Sequence, residues 1–422
     1  MCISSRRKWL RHIFLNSFMF VLLFMVPVFP VFGDTVSLQE CIRNALESNS
    51  DVRTAEKRLE IAYSNRLSSI GGILPNVSAS AGYGYSGSES YSYGLSASQT
   101  LFDGFKSINS IGIENENLRA AKAELADARA RIIFSITSGY INLYKAQEFL
   151  EMSEQIFERR KIQAESVKVK FDSGREHKGA YLTSEASLAD AENQIKQARR
   201  DMETAGMRLA SAAGFEITKN IAAEDVFDEM PEQGKEPDFE KIALNSPQTV
   251  RLNAAVNRAR LSKQNAQGDF YPRISASGNY SKSGNDFLPQ NESWRVGLNI
   301  SLPVFTGFGN TVRLSNADAN LMIAEINEKQ GYIDKIISLR EKWNRFMSSR
   351  ENLTAAEKYL EAAKVRSEIA RSQYSAGLLN YDNWIIIEND LVRYERSYLD
   401  SLAGLYTAAA DWKYEKEAAE YE

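Results

Sequence analysis

The sequence predicts an α+β membrane protein built from a duplicated helix–β-hairpin–helix unit. Three observations support this fold class. Strand-like stretches with alternating apolar and polar residues occur in two matching copies, at 74–105 and 271–308. Each copy is followed by a helical stretch without proline, at about 106–171 and 310–374. The chain also begins with basic and then apolar residues, which is typical of proteins exported from the cytoplasm.

Both copies place a proline before the first strand and end the second strand on Phe-x-Gly-Phe. We expect strands at about 76–86 and 90–103, and again at about 273–281 and 293–305. In the first predicted strand the alternate, apolar positions hold Val77, Ala79, Ala81, Tyr83 and Tyr85. In the fourth they hold Trp294, Val296, Leu298, Ile300 and Leu302. Side chains alternate between the faces of a strand, so this pattern predicts a sheet with one apolar and one polar face.

The length and the apolar face of the strands indicate what surrounds the sheet. Runs of about 9 to 13 residues are long enough for a tilted strand to cross a bilayer, and aromatic residues suit the interfaces of a membrane barrel. A soluble antiparallel sandwich is the alternative. Arg295 lies at one of the alternate, polar positions of the fourth strand, and a lipid-facing Arg near the bilayer midplane would cost about 2–4 kcal/mol. The polar face is therefore predicted to line a lumen.

Residues 1–33 are predicted to be a secretory signal peptide. An apolar run at 13–26 follows the basic residues Arg6, Arg7, Lys8 and Arg11. The run is too short for a transmembrane helix and is followed by Pro27 and Pro30. Cleavage would remove four basic and no acidic residues, so the formal net charge of −4 would become −8. An acidic chain of this kind is a poor partner for nucleic acid.

Each long helical stretch is followed by a turn and a returning helix, at 181–213 and 384–412. About 65 residues of helix reach roughly 100 Å, which is more than a globular domain needs. We expect the domain boundaries to be a first repeat at 34–215, a linker at 216–238, a second repeat at 239–412 and a solvated, charged tail at 413–422.

The returning helices have a heptad pattern. Its positions are Leu188, Ala191, Ile195, Ala198, Met202, Ala205, Leu209 and Ala212 in the first, and Leu391, Tyr394, Tyr398, Ser401, Leu405, Ala408 and Trp412 in the second. This spacing predicts knobs-into-holes packing between neighbouring helices. We expect these residues to build the wall of the protein and to perform no chemistry.

Two short segments are predicted to reverse the chain between long and returning helices. Gly174 lies in the first tip and Gly377 in the second, each followed by a short break before helix resumes. Glycine at a helix C-terminus is typical of such reversals. The two glycines are 203 positions apart, as are Gly104 and Gly307, so the duplication is predicted to span most of the exported chain.

No arrangement of residues indicates an enzyme, a cofactor site or a metal site. Gly82, Gly84 and Gly87 match the spacing of a dinucleotide-binding loop, but such a loop must pass from a strand into a helix. Here it lies within an alternating Tyr/Ser run. His177 is the only His after the signal peptide and Cys41 the only Cys. Neither a zinc site, a His-dependent nucleophile nor an intrachain disulfide is therefore expected.

The order and spacing of these features resemble the TolC-like outer-membrane efflux protein family. The resemblance rests on the signal peptide, the duplicated unit, the proline before the first strand, and two short motifs. These motifs are LFDGF and VFTGF at the strand exits, 101–105 and 304–308, and YSAG at 374–377. The similarity extends over nearly all of 34–412.

The resemblance implies a homotrimer in outer-membrane lipid, extending into the periplasm. Four strands per protomer would form a shared 12-stranded barrel, continued by a periplasmic α-helical barrel. The duct would work passively with a periplasmic adaptor protein and an inner-membrane transporter, in efflux or type I secretion. A structural coiled-coil protein that tethers the envelope, anchored by its hairpins, is the alternative function.

The resemblance also implies a gate at the second tip. Family members often have acidic residues six and nine positions after the tip glycine, a basic residue two after it and a Tyr three before it. These positions hold Asn383, Ile386, Leu379 and Tyr374 here, so only the Tyr is retained. Asp382 is the nearest carboxylate. It is predicted either to form an anionic ring in the pore or to cap a helix that begins near Trp384.

The adaptor is expected, from the same resemblance, to dock in grooves around both tips. The candidate residues are Gly174, Arg175, Gly377 and Leu378. The alternative is that both glycines only permit the turns.

Overall fold

The computed structural model describes residues 34–217, 221–224, 231 and 234–420. The predicted signal peptide lies outside these residues. The described residues form one compact unit. Within the described part of the chain, no helix combines the length and the apolar character needed to cross a membrane.

The unit is mostly helical, with one larger and one smaller sheet. Its first half consists of β1 (Asp34–Val36), α1 (Leu38–Ser48), α2 (Ser50–Gly71), β2 (Asn76–Tyr85), β3 (Glu89–Phe102), α3 (Lys106–Asp172) and α4 (Lys178–Ala213). Its second half consists of β4 (Ile221–Ala223), α5 (Phe239–Asn245), α6 (Pro247–Gly268), β5 (Arg273–Gly284), β6 (Asn291–Ser301), α7 (Gly309–Ser375) and α8 (Tyr381–Glu420).

The larger sheet is antiparallel, with the strand order β2-β3-β5-β6. Tyr83 lies opposite Tyr91, and Tyr280 lies opposite both Leu95 and Trp294. All of these side chains therefore belong to one face, because opposed residues point the same way. Arg295 lies opposite Asn279 on the other face. The register thus agrees with the apolar and polar faces that the alternation predicts.

Two strand ends differ from the sequence-based expectation. Strand β5 continues to Gly284, and β6 ends at Ser301 rather than near residue 305. Pro303 explains the earlier end of β6, since proline has no N–H to donate to a sheet.

The passage from each hairpin into a long helix has an unusual backbone. Gly104 and Phe105 have φ angles of 70° and 68°, and Gly307 and Phe308 have φ angles of 58° and 65°. A left-handed conformation is rare for a bulky residue and costs of order 1–3 kcal/mol. Phe105 packs edge-on against Phe102, with ring centroids 5.4 Å apart. The same strained turn at both junctions aligns the last strand residue with the start of a helix.

The long helices form the greater part of the unit. Helices α3 and α7 each contain 67 residues, a length of about 100 Å. Helix α4 packs along α3, and α8 along α7. The heptad residues of α4 and α8 are buried or half-buried with one exception. Ala212 is exposed, and its neighbour Ala213 is buried instead. Helix α4 ends at Ala213. There Ala213 and Ala210 both pack against residues of α1 and β1.

The expectation of a solvated tail after Trp412 is wrong for the described residues. Helix α8 continues to Glu420. The carboxylate of Glu415 is nearly buried and pairs with the amines of Lys335 and Lys342, the latter at 2.7 Å. A buried charge is tolerated only with such partners, so this segment belongs to the folded unit.

The predicted linker at 216–238 also contains structure. Within it, β4 pairs in parallel with β1. The hydroxyl of Tyr140 donates to the carbonyl of Val36 at 2.8 Å and accepts from the amide of Glu224 at 2.8 Å. Burial raises the pKa of Tyr140 to about 12, so the hydroxyl remains a donor. The short sheet therefore fastens the start of the described chain to the middle of α3.

Candidate functional site

Both tips reverse the chain with the same hydrogen bonds. At the first tip, the amide of Gly174 donates to the carbonyl of Phe171 at 2.9 Å, and that of Arg175 to Lys170 at 2.8 Å. At the second tip, Gly377 donates to Tyr374 at 3.1 Å and Leu378 to Gln373 at 2.8 Å. The glycines have φ angles of 71° and 79°. This is the Schellman motif, which requires a left-handed residue that only glycine adopts without strain.

The returning helices begin at capping residues other than the one considered from the sequence. The Nδ1 atom of His177 accepts from the amide of Ala180 at 3.1 Å. At the second tip, Oδ1 of Asn380 accepts from the amide of Asn383 at 3.0 Å. Helix α8 thus begins at Tyr381, and Asp382 lies inside its first turn. The expectation that Asp382 caps a helix beginning near Trp384 is therefore wrong.

Tyr374 is the centre of an aromatic cluster at the second tip. Its side chain is only 2% exposed. Its ring stacks on that of Trp384, with centroids 4.2 Å apart and planes 18° apart. Tyr381 contacts both rings edge-on. The cluster also includes Val167 from α3, so residues of both long helices meet there.

Tyr374 also joins the two tips through polar contacts. Its hydroxyl donates to Oε2 of Glu176 at 3.1 Å. The amine of Lys170 lies 3.8 Å from the centroid of the Tyr374 ring and donates to the Tyr374 carbonyl. Burial and the charge of Glu176 raise the pKa of Tyr374 well above its usual range. The phenol therefore remains a neutral donor, and the contact holds the second tip to the first.

The other candidate residues at the tips are exposed. Asp382, Asn383 and Ile386 lie in the first two turns of α8. Ile386 is four positions after Asp382 and three after Asn383, a spacing that places it beside each of them on the helix surface. Arg175 and Leu378 are exposed beside the tip glycines, with Leu378 79% exposed. Of the four predicted gate residues, Tyr374 alone is buried, whereas the other three are available to a partner.

A buried polar network lies next to the aromatic cluster, on the side away from the tip. The carboxylate of Glu388 is 2% exposed and accepts from Nε2 of Gln163 and from the hydroxyl of Ser367, both at 2.6 Å. Arg160 donates to Oε1 of Gln163 at 2.9 Å and to Asn389 at 2.5 Å. Burial lowers the pKa of Arg160, and the charge of Glu388 opposes that shift. The network therefore links α3 with α7 and α8.

The sequence reasoning missed Glu388, which lies beside the heptad rather than in it. The alternation of three and four, continued toward the tip from Leu391, reaches Ile387 and Trp384, but Glu388 is three positions before Leu391 and four after Trp384, so it shares their side of the helix. A carboxylate at such a position must find partners on the facing helix. The described residues contain no group of three His, Cys, Asp or Glu side chains placed to hold a metal ion.

The family model described as outer membrane efflux protein matches residues 41–215 and 239–384. The chain is 20% identical over 308 residues to the outer membrane efflux protein BepC of Brucella suis biovar 1, covering 71% of this chain and 66% of BepC. It is 22% identical over 364 residues to the outer membrane protein TolC of Vibrio cholerae serotype O1, covering 81% of each chain.

A solved structure of CusC has a similar fold, with a TM-score of 0.84 and 19% identity over 92% of this chain and 93% of that chain. The family model covers well over half of the chain. The chain therefore belongs to the outer membrane efflux protein family, which confirms the predicted efflux function and the predicted location in the outer membrane.

Proposed function

We propose that three copies of this chain assemble into a passive exit duct in the outer membrane. The supporting observation is the four-stranded sheet, in which β2 and β6 each have one partner among the described residues. Four strands cannot close a barrel, since barrels in outer membranes need at least about 8. Three copies would give 12 strands with every edge paired, and the long helices would continue the barrel into the periplasm.

The polar face of the sheet supports a water-filled interior. On β2 and β3 this face consists of Asn76, Ser78, Ser80, Gly82, Gly84, Ser90, Ser92, Gly94, Ser96 and Ser98. Small, polar side chains leave room for water, and Arg295 on β6 has the same orientation. An envelope tether would need no such interior, so this face favours a duct.

The duct is proposed to work with a periplasmic adaptor and an inner-membrane transporter. The transporter would supply energy and select the cargo, which would be small toxic molecules or secreted polypeptides. The proposed duplicated unit, at 34–215 and 239–412, is supported by the equal register of the two hairpins, because Tyr83–Tyr91 and Tyr280–Trp294 are equivalent pairs.

Single-channel recording tests this function. Purified protein in a planar bilayer should conduct ions, and unheated extracts should contain a species of three chains that heating dissociates. A monomer that leaves the membrane in carbonate washes would overturn both the barrel and the assembly. An integral trimer that never conducts, even with its tips loosened by substitution, would favour the tether.

The duct is proposed to close where the second tips of three copies converge. Tyr374 would hold each tip in place, while Asp382, Asn383 and Ile386 would face the opening from the exposed side of α8. Three copies of Asp382 brought together by symmetry would repel one another and attract cations.

Asp382→Asn is expected to lower cation selectivity and to weaken block by multivalent cations, with thermal stability unchanged. The charge is lost while the cap remains, because Asn380 supplies it. The matched control is Asn380→Ala, which should lower stability by about 0.5–2 kcal/mol and leave selectivity unchanged. Unchanged selectivity in Asp382→Asn would indicate that Asn383 or Ile386, rather than Asp382, forms the constriction.

The adaptor is proposed to dock around Gly174, Arg175, Gly377 and Leu378. Arg175→Trp or Leu378→Trp should preserve trimers but abolish efflux, because a bulky side chain would block a groove beside the turn. Drug tolerance of a strain that depends on this duct is the measurement. The control is Lys196→Trp, an exposed position on α4 away from the tip. Full tolerance in both tip variants would exclude docking there.

A further inference from the structure

A polar cavity lies where the sheet meets the long helices. Helix α6 packs between α3 and α7, and residues of all three line a cavity of about 550 Å³ near the ends that join the sheet. The charged residues and side-chain amides that line it are Lys106, Asp269, Arg313, Asn265, Asn316 and Asn320. A cavity of this size is large enough for a small ligand.

Two cations at the cavity share one carboxylate. Oδ2 of Asp269 accepts from Nε of Arg313 at 2.9 Å, and Oδ1 pairs with the amine of Lys106. The side-chain amide of Asn310 donates to the carbonyl of Asp269 at 3.0 Å and accepts from Arg313. Because one carboxylate cannot neutralise two cations, one positive charge is left over.

The exposure of these side chains decides which charge a ligand would meet. The Asp269 side chain is 17% exposed, whereas those of Lys106 and Arg313 are 37% and 60% exposed. A guanidinium has five N–H donors and an ammonium has three, and the contacts with Asp269 and Asn310 use only some of them. The carboxylate is therefore largely covered, and unused N–H donors are exposed beside the cavity.

A third cation strengthens the positive potential. Arg273 begins β5 on the polar face of the sheet. Burial and the charge of Arg313 lower the pKa of Lys106, the charge of Asp103 opposes this shift, and that of Arg273 adds to it. The ion pair of Lys106 with Asp269 offsets part of the repulsion but cannot remove it, since Arg313 shares the same carboxylate. An anion bound in the cavity would relieve this repulsion.

Asn265 gives a second, independent indication of a ligand. Its side-chain oxygen is buried and has no hydrogen-bond partner among the described residues, although buried polar groups in native proteins are nearly always satisfied. A side-chain amide can turn over to present its N–H groups in place of its oxygen. The Asn265 amide is thus available to a ligand in the cavity.

The junction of the other repeat forms without these charges. The equivalent positions hold uncharged residues, namely Gly309, Ser110, Gly72 and Asn76 in place of Lys106, Arg313, Asp269 and Arg273. The same left-handed turn nevertheless occurs at both junctions. The turn from strand to helix therefore does not require the charged group, which occurs once in the chain.

We propose that this cavity is a binding site for a small oxyanion of the phosphate type, held by Arg313 and Lys106 at the base of the barrel. Donors on α3, α6 and α7 surround the cavity, which suits an anion with several acceptor oxygens, and hydrogen bonds between charged groups are the strongest of their kind. The site is formed within one chain. Its place in the lumen rests on the proposed function, in which three copies would form a ring of positive groups around the duct.

Isothermal titration calorimetry with inorganic phosphate tests the site, at an ionic strength held constant with chloride. The purified protein should bind one phosphate per chain. Arg313→Gln should weaken binding roughly tenfold or more, because hydrogen bonds from a charged donor are lost. Arg313 is exposed and Lys106 keeps its pair with Asp269, so this variant should fold. Asn316→Asp, which adds a carboxylate at an exposed position of the cavity wall, should weaken binding as strongly.

The matched control is Arg295→Gln. It removes the same charge from the polar face of the sheet, at a position that does not line the cavity, and should leave phosphate affinity unchanged. Equal weakening in Arg295→Gln and Arg313→Gln would show a general effect of charge and overturn the site. Wild-type affinity in both Arg313→Gln and Asn316→Asp, or no saturable binding to the wild-type protein, would overturn it as well.

Single-channel recording tests the place of the site in the lumen. Inorganic phosphate should lower the current through wild-type channels, and Arg313→Gln should reduce this block. Saturable binding in the calorimeter with no effect on the current would overturn the position in the lumen. Channels that never conduct, even without phosphate, would overturn the proposed duct, whereas calorimetry would still decide whether the site exists.

Discussion

Gly268→Ala is expected to prevent most of the protein molecules from reaching their folded form in the membrane. The added Cβ atom would lie 2.7 Å from the carbonyl oxygen of Gly104 and 2.8 Å from a side-chain carbon of Lys106. The Lys106 side chain can move, whereas the carbonyl belongs to a turn that Gly104 and Phe105 already hold in left-handed conformations. Overpacking costs about 1–3 kcal/mol or more where the surroundings cannot shift.

The measurement is the yield of heat-modifiable protein, together with thermal unfolding followed by helical circular dichroism. Gly104→Ala should be at least as damaging, because its φ of 70° adds about 1–2 kcal/mol of backbone strain for a residue with a Cβ atom. Gly404→Ala is the control and should be neutral or slightly stabilising. Normal yield and stability in Gly268→Ala would show that the junction between α3 and α6 is not rigid.

Tyr374→Ala is expected to raise single-channel conductance and to loosen the tips. The substitution removes a buried ring stacked on Trp384, and truncating a buried aromatic residue costs about 3–5 kcal/mol. It also removes the hydroxyl that donates to Glu176 and the ring beneath the Lys170 amine. Both losses weaken the connection between the two tips, so the proposed gate should spend more time open.

Tyr374→Phe separates the two contributions to the gate. It keeps the stacked ring and removes the hydrogen bond to a charged acceptor, a loss of about 1.5–3 kcal/mol, so its conductance should lie between wild type and Tyr374→Ala. Tyr359→Ala is the control, since Tyr359 of α7 also stacks on an aromatic residue of α8, Tyr394, but is 59% exposed. If Tyr374→Ala lowers stability without changing conductance, Tyr374 is a packing residue and takes no part in gating.

The two tips show which features can be predicted from local sequence and which cannot. Gly174 and Gly377 could be recognised as turn residues because left-handed backbone has a strong local preference for glycine. The start of α8 could not be chosen in the same way, since Asn380 and Asp382 are both good capping residues. Beginning the helix at Tyr381 buries Tyr381 and Trp384 against Tyr374. The packing of these rings, rather than the strength of a cap, selects Asn380.

The segments at 216–238 and 413–422 differ from expectation for a related reason. Both have polar, charged compositions that predict solvated chain. The first contains β4, which is a strand only because β1, far away in sequence, pairs with it. In the second, Glu415 is buried because Lys335 and Lys342 on α7 neutralise it. Composition describes what a segment prefers in isolation, and distant partners can reverse that preference.

The sequence by itself determined the two sheet faces, the long helices and the turns between them. These features follow from side-chain periods of 2 and 3.5 and from the backbone preferences of single residues, which act over a few neighbouring positions. Only the tertiary structure decided that Gly104 meets Gly268 and that Glu388 is satisfied by Gln163 and Ser367. Such contacts join residues more than twenty, and in some cases more than two hundred, positions apart. They form because close packing and the cost of burying an unpaired polar group select one arrangement of helices that are already formed.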